Sequence, residues 1–217
     1  MITFDHVGTG RSGRLDGELT IAGMADDAVG LLSDLGIDRS HVLGLSMGGM
    51  VGQEVALRHP RLVERLVLVG TSPSAGRGVR TPPETMEALG SAWTSGDREH
   101  AMRVALEVNV SARHAADPGA VEAWREIAAD RPVSLEVLGA QLQAIRGHDA
   151  LDRLAELEAP TLIMHGTDDR VLPVGNAQLL ADAIPGARLE LFEGAGHLLY
   201  LEEPERAARL VREFLVV

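Results

Sequence analysis

His41-Val42-Leu43-Gly44-Leu45-Ser46-Met47-Gly48-Gly49-Met50-Val51-Gly52 is the stretch whose reading decides the fold. The apolar run Val42, Leu43, Leu45 is short and stops at a glycine-serine cluster, as a buried strand does. After Met47 the pattern takes helical spacing through Met50, Val51, Glu54, Val55 and Leu57. A strand therefore runs straight into a helix, with Ser46 at the tip of the turn between them.

Gly44-Leu45-Ser46-Met47-Gly48 has the form of a nucleophile elbow. A serine on so sharp a turn is held in a strained conformation. Side chains two positions before and after it are expected to collide, which makes glycine suitable at 44 and 48. The turn also sets Ser46 at a helix start, where the Met47 N–H can face the oxyanion formed when the serine attacks a carbonyl.

Working outward toward the N-terminus, residues 2–4 read as a very short strand followed by a glycine-rich loop. Thr20 is a good N-cap for a helix with apolar positions Ile21, Met24, Ala25, Ala28, Leu31, Leu32 and Leu35, and Gly36 ends it. Toward the C-terminus, the elbow helix stops at His59-Pro60, because proline cannot continue it. Residues 66–70, Leu-Val-Leu-Val-Gly, form the continuous run of a parallel strand buried on both faces. Strand, helix, strand, helix, strand implies an α/β sheet with right-handed crossovers.

Between residues 74 and 147 the strand signals disappear. Thr81-Pro82-Pro83-Glu84 reads as a capping box with proline at the first helical position, and Asp117-Pro118 as a second proline-led start. One face of the helix after Asp117 carries Val121, Trp124, Ile127 and Ala128. A further helix from Ser134 shows Leu135, Leu138, Leu142 and Ile145. This divides the chain into a core, 1–73 and 148–217, and an all-helical insertion, 74–147. Trp93 and Trp124 both lie in the insertion, where anchoring its helices to the core is the expected role.

Strands resume at Thr161–Gly166 and Arg188–Phe192, and Pro204 opens a closing helix. Reactive loops of an open parallel sheet gather at the carboxyl ends of its strands. Ser46, Asp169 and His197 each follow a strand at that end. In these positions His197 would take the Ser46 proton while Asp169 orients the imidazole. His41, His59, His100, His114 and His148 fall at element ends, where solvent contact or capping is the expected role. His165 reads as a packed strand residue.

Composition narrows the function classes. The 217 residues carry a net charge of −12, which disfavours nucleic acid and anionic membranes as partners. There is no cysteine, hence no disulfide or thiol chemistry. No tight metal-ligand spacing occurs, so neither a metal nor another cofactor is expected. No long apolar run and no signal-peptide pattern is present, and the expectation is a cytoplasmic protein.

GLSMGG, MHGTDDRVLP and GAGHLLYLEEPE resemble the elbow, acid loop and histidine loop of the α/β-hydrolase superfamily. GLSMGGMVGQ is also similar to the 3-oxoadipate enol-lactonase branch, although esterases and cofactor-free haloperoxidases carry similar elbows. The resemblance implies a mostly parallel, doubly wound α/β sheet with the insertion as a cap. It implies a Ser46-His197-Asp169 triad, the acid falling three residues after Gly166, with Met47 N–H as an oxyanion donor. The expected reaction is hydrolysis of a small ester or lactone. ITFDHVGTGRS resembles the superfamily's fourth strand and loop. On that basis the first three strands and a second oxyanion donor would be missing, and the elbow strand would lack its neighbour. Two remedies are expected: residues 2–4 pair with the elbow strand, or a second copy covers the edge as a homodimer. The alternative function is a shortened, silent homologue that self-associates through that edge.

Overall fold

The computed structural model describes residues 1–129 and 133–216, without the side chains of 127–129. Ile127 and Ala128, expected on an apolar helix face, therefore lie outside the described side chains. The chain runs α1 (Ile21–Asp34), β1 (Ser40–Leu45), α2 (Met47–Arg58), β2 (Val63–Val69). Next come α3 (Pro83–Thr94), α4 (Arg98–Asn109), α5 (Ala112–Ala115), α6 (Pro118–Ala129) and α7 (Leu135–Arg146). A 3₁₀ turn (Leu151–Glu156) leads into β3 (Thr161–Gly166), α8 (Gly175–Ala183), β4 (Arg188–Phe192), α9 (Leu199–Glu202) and α10 (Pro204–Val216).

The strands form one parallel sheet in the order β1-β2-β3-β4. β3 is buried throughout and β2 over its last four residues, which is why both read as unbroken apolar runs. Alternation splits them between two layers. Leu66, Leu68 and Ile163 pack with α1, α2 and α8, whereas Val67, Val69, Leu162 and Met164 pack with Phe192 and α10. Each fully buried leucine or isoleucine here contributes about 2 kcal/mol of apolar transfer. The sheet is thus covered on both faces, a doubly wound α/β arrangement.

Several local expectations need correction. Residues 2–4 are not a strand and do not pair with β1; Ile2 and Phe4 are 49% and 42% exposed. β1 is consequently an edge of the sheet, with Leu43 54% exposed. β2 begins at Val63, ahead of the expected Leu66, and Gly70 lies beyond its end at φ +49°. The Thr81 capping box does not form. Pro82 is the N-cap of α3, and the Thr81 hydroxyl donates instead to Val171 O at 2.6 Å. Thr20 does cap α1, its Oγ1 accepting from Gly23 N at 3.0 Å.

The five helices α3–α7 lie between β2 and β3 in sequence, and their chain enters and leaves through a neck. Ala75 N donates to His148 O at 3.1 Å, Ala150 N donates to Pro73 O at 2.9 Å, and Ser74 bridges Asp149. Arg77 reaches across the neck to Asp149, at 2.7 and 3.0 Å, and to Asp152 at 2.9 Å. The Arg77 hydrogen bonds hold the Asp149 carboxyl below the usual range. Residues 74 and 149 are thereby brought side by side, so the intervening helices form an excursion from the sheet layer.

Candidate active site

Ser46 occupies a backbone conformation that its neighbours impose. Its φ of 53° and ψ of −120° make it the one non-glycine residue at positive φ among the described residues. Ser46 N donates to Val69 O at 2.9 Å, and the Thr71 hydroxyl donates to Ser46 O at 2.7 Å. These bonds pin the turn to the end of β2. Glycine is required at 44, where a Cβ would lie 2.1 Å from Gly48 O. It is not sterically required at 48, where a Cβ would meet nothing within 4 Å. The second close approach falls at Gly49, whose Cβ would come within 2.6 Å of the Thr71 side chain. Met47 opens α2, so its N–H is among the amides that helix geometry leaves without a carbonyl.

Asp169 and His197 are brought together from loops that knit into each other. Thr167 N donates to Phe192 O, Asp168 N to Ala195 O, and Gly194 N to Thr167 Oγ1, at 2.8–3.0 Å. The approach is so close that a Cβ on Gly166 would sit 2.2 Å from Ala195 O. Across this junction His197 Nδ1 lies 2.7 Å from Asp169 Oδ2. Asp169 Oδ1 accepts from Val171 N and Leu172 N, both at 2.8 Å. Burial pushes the Asp169 carboxyl up and is the largest single influence. The hydrogen bonds and charges of His165 and His197 together outweigh it and hold the group at about 2. Asp168, the neighbouring acid, is exposed.

Ser46 and His197 meet the same corner of the sheet. Ser46 is bonded to Val69, and a Cβ on the next residue, Gly70, would stand 3.2 Å from His197 Nδ1. The Ser46 side chain makes no capping hydrogen bond to α2. The histidine loop is in turn tied to the helical excursion. Leu198 N donates to Asn109 O at 2.8 Å. Glu202 Oε1 accepts from Gly196 N at 2.7 Å and from Ser111 N at 2.9 Å, and its Oε2 takes the Ser111 hydroxyl. Leu106, Val110 and Leu198 form an apolar cluster with Leu45 and Trp124 packed against it, one residue from both Ser46 and His197. Trp124 also donates to Met102 O at 3.1 Å, which anchors α6 to α4.

Two histidines depart from their expected roles. His148 is 4% exposed and lies beside the buried Glu54 carboxylate, Nδ1 to Oε1 3.8 Å; burial lowers its pKa. His165, expected only to pack, contacts Asp169, its Nε2 lying 3.1 Å from Oδ2. Neither this contact nor the Glu202 clamp has a spacing signal that would separate it from ordinary strand and loop residues.

Cavities of about 410 and 580 Å³ lie along α1, and neither is lined by Ser46, Asp169 or His197. Among the described residues no cluster of three or more His, Asp or Glu is placed to hold a metal, and no helix is long and apolar enough to cross a membrane.

Comparison with known proteins places the whole chain. Residues 1–204 match the family model described as the alpha/beta hydrolase fold. The chain is 34% identical to 2-hydroxymuconate semialdehyde hydrolase of Pseudomonas putida, over 99% of this chain and 76% of that protein. Among solved structures, a hydrolase from Pseudomonas aeruginosa PA01 superposes with a TM-score of 0.81 at 32% identity, covering 98% of this chain and 78% of that one. The enol-lactonase of Burkholderia xenovorans LB400 gives 0.82 at 27%, covering 98% and 79%. With the family model matched over nearly the whole chain, the chain belongs to the α/β-hydrolase family.

Proposed function

We propose that the chain is a serine hydrolase that cleaves a small carboxylic ester or lactone through an acyl-enzyme. The observation that carries this reading is the strained backbone of Ser46, held at the sheet corner that also borders His197. In this scheme Ser46 Oγ attacks the substrate carbonyl as His197 Nε2 accepts its proton. The Met47 N–H stabilises the oxyanion of the tetrahedral adduct. Collapse breaks the C–O bond, and the alkoxide leaves with the proton from His197. Water, deprotonated by the same nitrogen, then releases the acid and restores Ser46. Asp169, ionised and buried, holds Nδ1–H and offsets the positive imidazolium. The apolar cluster of Leu106, Val110, Leu198 and Trp124 supplies a wall for the acyl chain, with the helical excursion serving as cap. The enol-lactonase of B. xenovorans is consistent with this substrate class.

The test is turnover of a short-chain activated ester by the wild type beside Ser46→Ala, with folding checked by circular dichroism. Activity that disappears in the variant supports the reading. Equal rates in two folded proteins would reject it.

A second reading, a silent homologue that self-associates, is favoured by one observation: β1 is a sheet edge carrying the exposed Leu43. In that reading a second copy pairs along β1. Light scattering after size exclusion would then give a dimer that Leu43→Lys converts to monomer, in a chain without Ser46-dependent turnover. A monomeric wild type would remove it.

A further inference from the structure

We propose that His165 is a positioning residue for the triad, fixing the Leu172 segment that grips Asp169 and lying against the Asp169 oxygen to which His197 Nδ1–H is bonded. The proposal rests on the serine-hydrolase reading and deepens it. His165 lies on β3 and is fully buried, with its Nε2 2.7 Å from Leu172 O and 3.1 Å from Asp169 Oδ2. A carbonyl oxygen and an ionised carboxylate can only accept, so Nε2 is the nitrogen that carries the hydrogen. Nδ1 is then a bare acceptor, and it is buried without a partner. A plain packing residue such as leucine or methionine would fill the site without that orphaned atom. What the imidazole adds is a donor to Leu172 O that also lies against the Asp169 carboxylate.

Through Leu172 the imidazole closes a frame around Asp169. Asp169 Oδ1 takes Val171 N and Leu172 N, while Oδ2 takes His197 Nδ1 and has His165 Nε2 beside it at 3.1 Å. Leu172 is bound twice, through its N–H to Oδ1 and through its carbonyl to His165. Without His165, the Leu172 carbonyl loses its anchor, the loop amides grip Oδ1 less firmly, and nothing lies against Oδ2 but the residue it is meant to orient. The carboxylate can then rotate about its bond to Cβ, and His197 follows it away from the orientation the proposed proton transfer from Ser46 requires. His165 touches neither nucleophile nor substrate in this scheme and acts wholly through Asp169.

The experiment compares the wild type with His165→Met, which fills similar volume without a donor, and His165→Gln, whose amide can reach the position of Nε2. Expected for His165→Met is a 10- to 100-fold fall in kcat on a short-chain activated ester, with KM within twofold. His165→Gln should recover activity to within about threefold of wild type. His165→Asn, whose amide stops short of Nε2, should behave like His165→Met and replaces it if that variant does not fold. A second readout needs no turnover: the downfield proton resonance of His197 Nδ1–H, expected in the wild type and His165→Gln and lost or broadened in His165→Met. Unchanged kcat and an unchanged resonance in a folded donor-less variant would overturn the proposal. If the wild type turns over no ester, the serine-hydrolase reading fails, while the resonance still decides whether His165 holds the Asp169–His197 pair.

Discussion

His197 Nδ1 stands 2.7 Å from Asp169 Oδ2, with the Asp169 side chain fully withdrawn from water and that of His197 5% exposed. The carboxylate survives this burial because Val171 N and Leu172 N donate to one oxygen and His197 Nδ1 meets the other. Replacing it by an asparagine keeps the shape but removes the charge and offers an amide where an acceptor is needed. Asp169→Asn should lower kcat about 10³- to 10⁴-fold with little change in KM, measured on the same activated ester.

The same pair makes stability depend on acid. Asp169 sits at about 2 in the folded chain against an ordinary 3.8, so its folded value is depressed. Its contribution, about 2 kcal/mol, is therefore complete above pH 4 and disappears as pH falls toward 2. Urea unfolding of wild type and Asp169→Asn should show a stability gap at pH 7 that persists to pH 4 and narrows steadily below it. A gap independent of pH down to 2 would contradict this assignment.

The glycines of the elbow should separate cleanly. Gly44→Ala places a methyl group 2.1 Å from Gly48 O, on backbone that cannot yield, and Gly49→Ala places one 2.6 Å from the Thr71 side chain. Gly48→Ala meets open space inside α2, where alanine is the better helix former. Thermal unfolding should show Gly44→Ala and Gly49→Ala destabilised by about 1–3 kcal/mol or more, and Gly48→Ala neutral or slightly stabilised. Both flanking positions look alike in the Gly-x-Ser-x-Gly pattern, and the structure distinguishes them.

Much of this was legible in the sequence, for identifiable reasons. Periodicity placed β1 against α2, because a short apolar run and a helical stripe meet at Ser46. The unbroken run 66–69 announced a strand covered on both faces, the glycine-rich loop after β4 marked out His197, and the family resemblance singled out Asp169 in the loop after β3. What stayed hidden depends on contacts between distant segments. Glu202 meets Gly196 and Ser111, and His165 meets Asp169, through side-chain directions that no local pattern encodes. Thr81 had a partner available in Val171 O, a contact 90 residues away that outcompeted its local cap. Residues 2–4 have strand-like composition, yet extended backbone needs a neighbouring edge to become a strand.

Two ion pairs differ in environment and should differ in worth. The Glu54 carboxylate, 7% exposed, is held by both Arg153 nitrogens, whereas Arg77 and Asp149 are 43% and 45% exposed. Arg153→Ala strands a buried charge and should lower stability by about 2 kcal/mol. Arg77→Ala should change it by less than about 1 kcal/mol, since water and salt screen the exposed pair. Denaturant titrations of the two variants at matched pH would check the contrast.

Everything proposed for the chemistry depends on Ser46 being an activated nucleophile. Intact-mass measurement after incubation with a fluorophosphonate tests that directly, because the reagent phosphonylates a serine whose proton is removed as it attacks. The expected result is one adduct, mapped to Ser46, absent in Ser46→Ala and formed much more slowly in His197→Ala. A folded chain that gains no adduct, or gains one that Ser46→Ala does not abolish, would contradict the account.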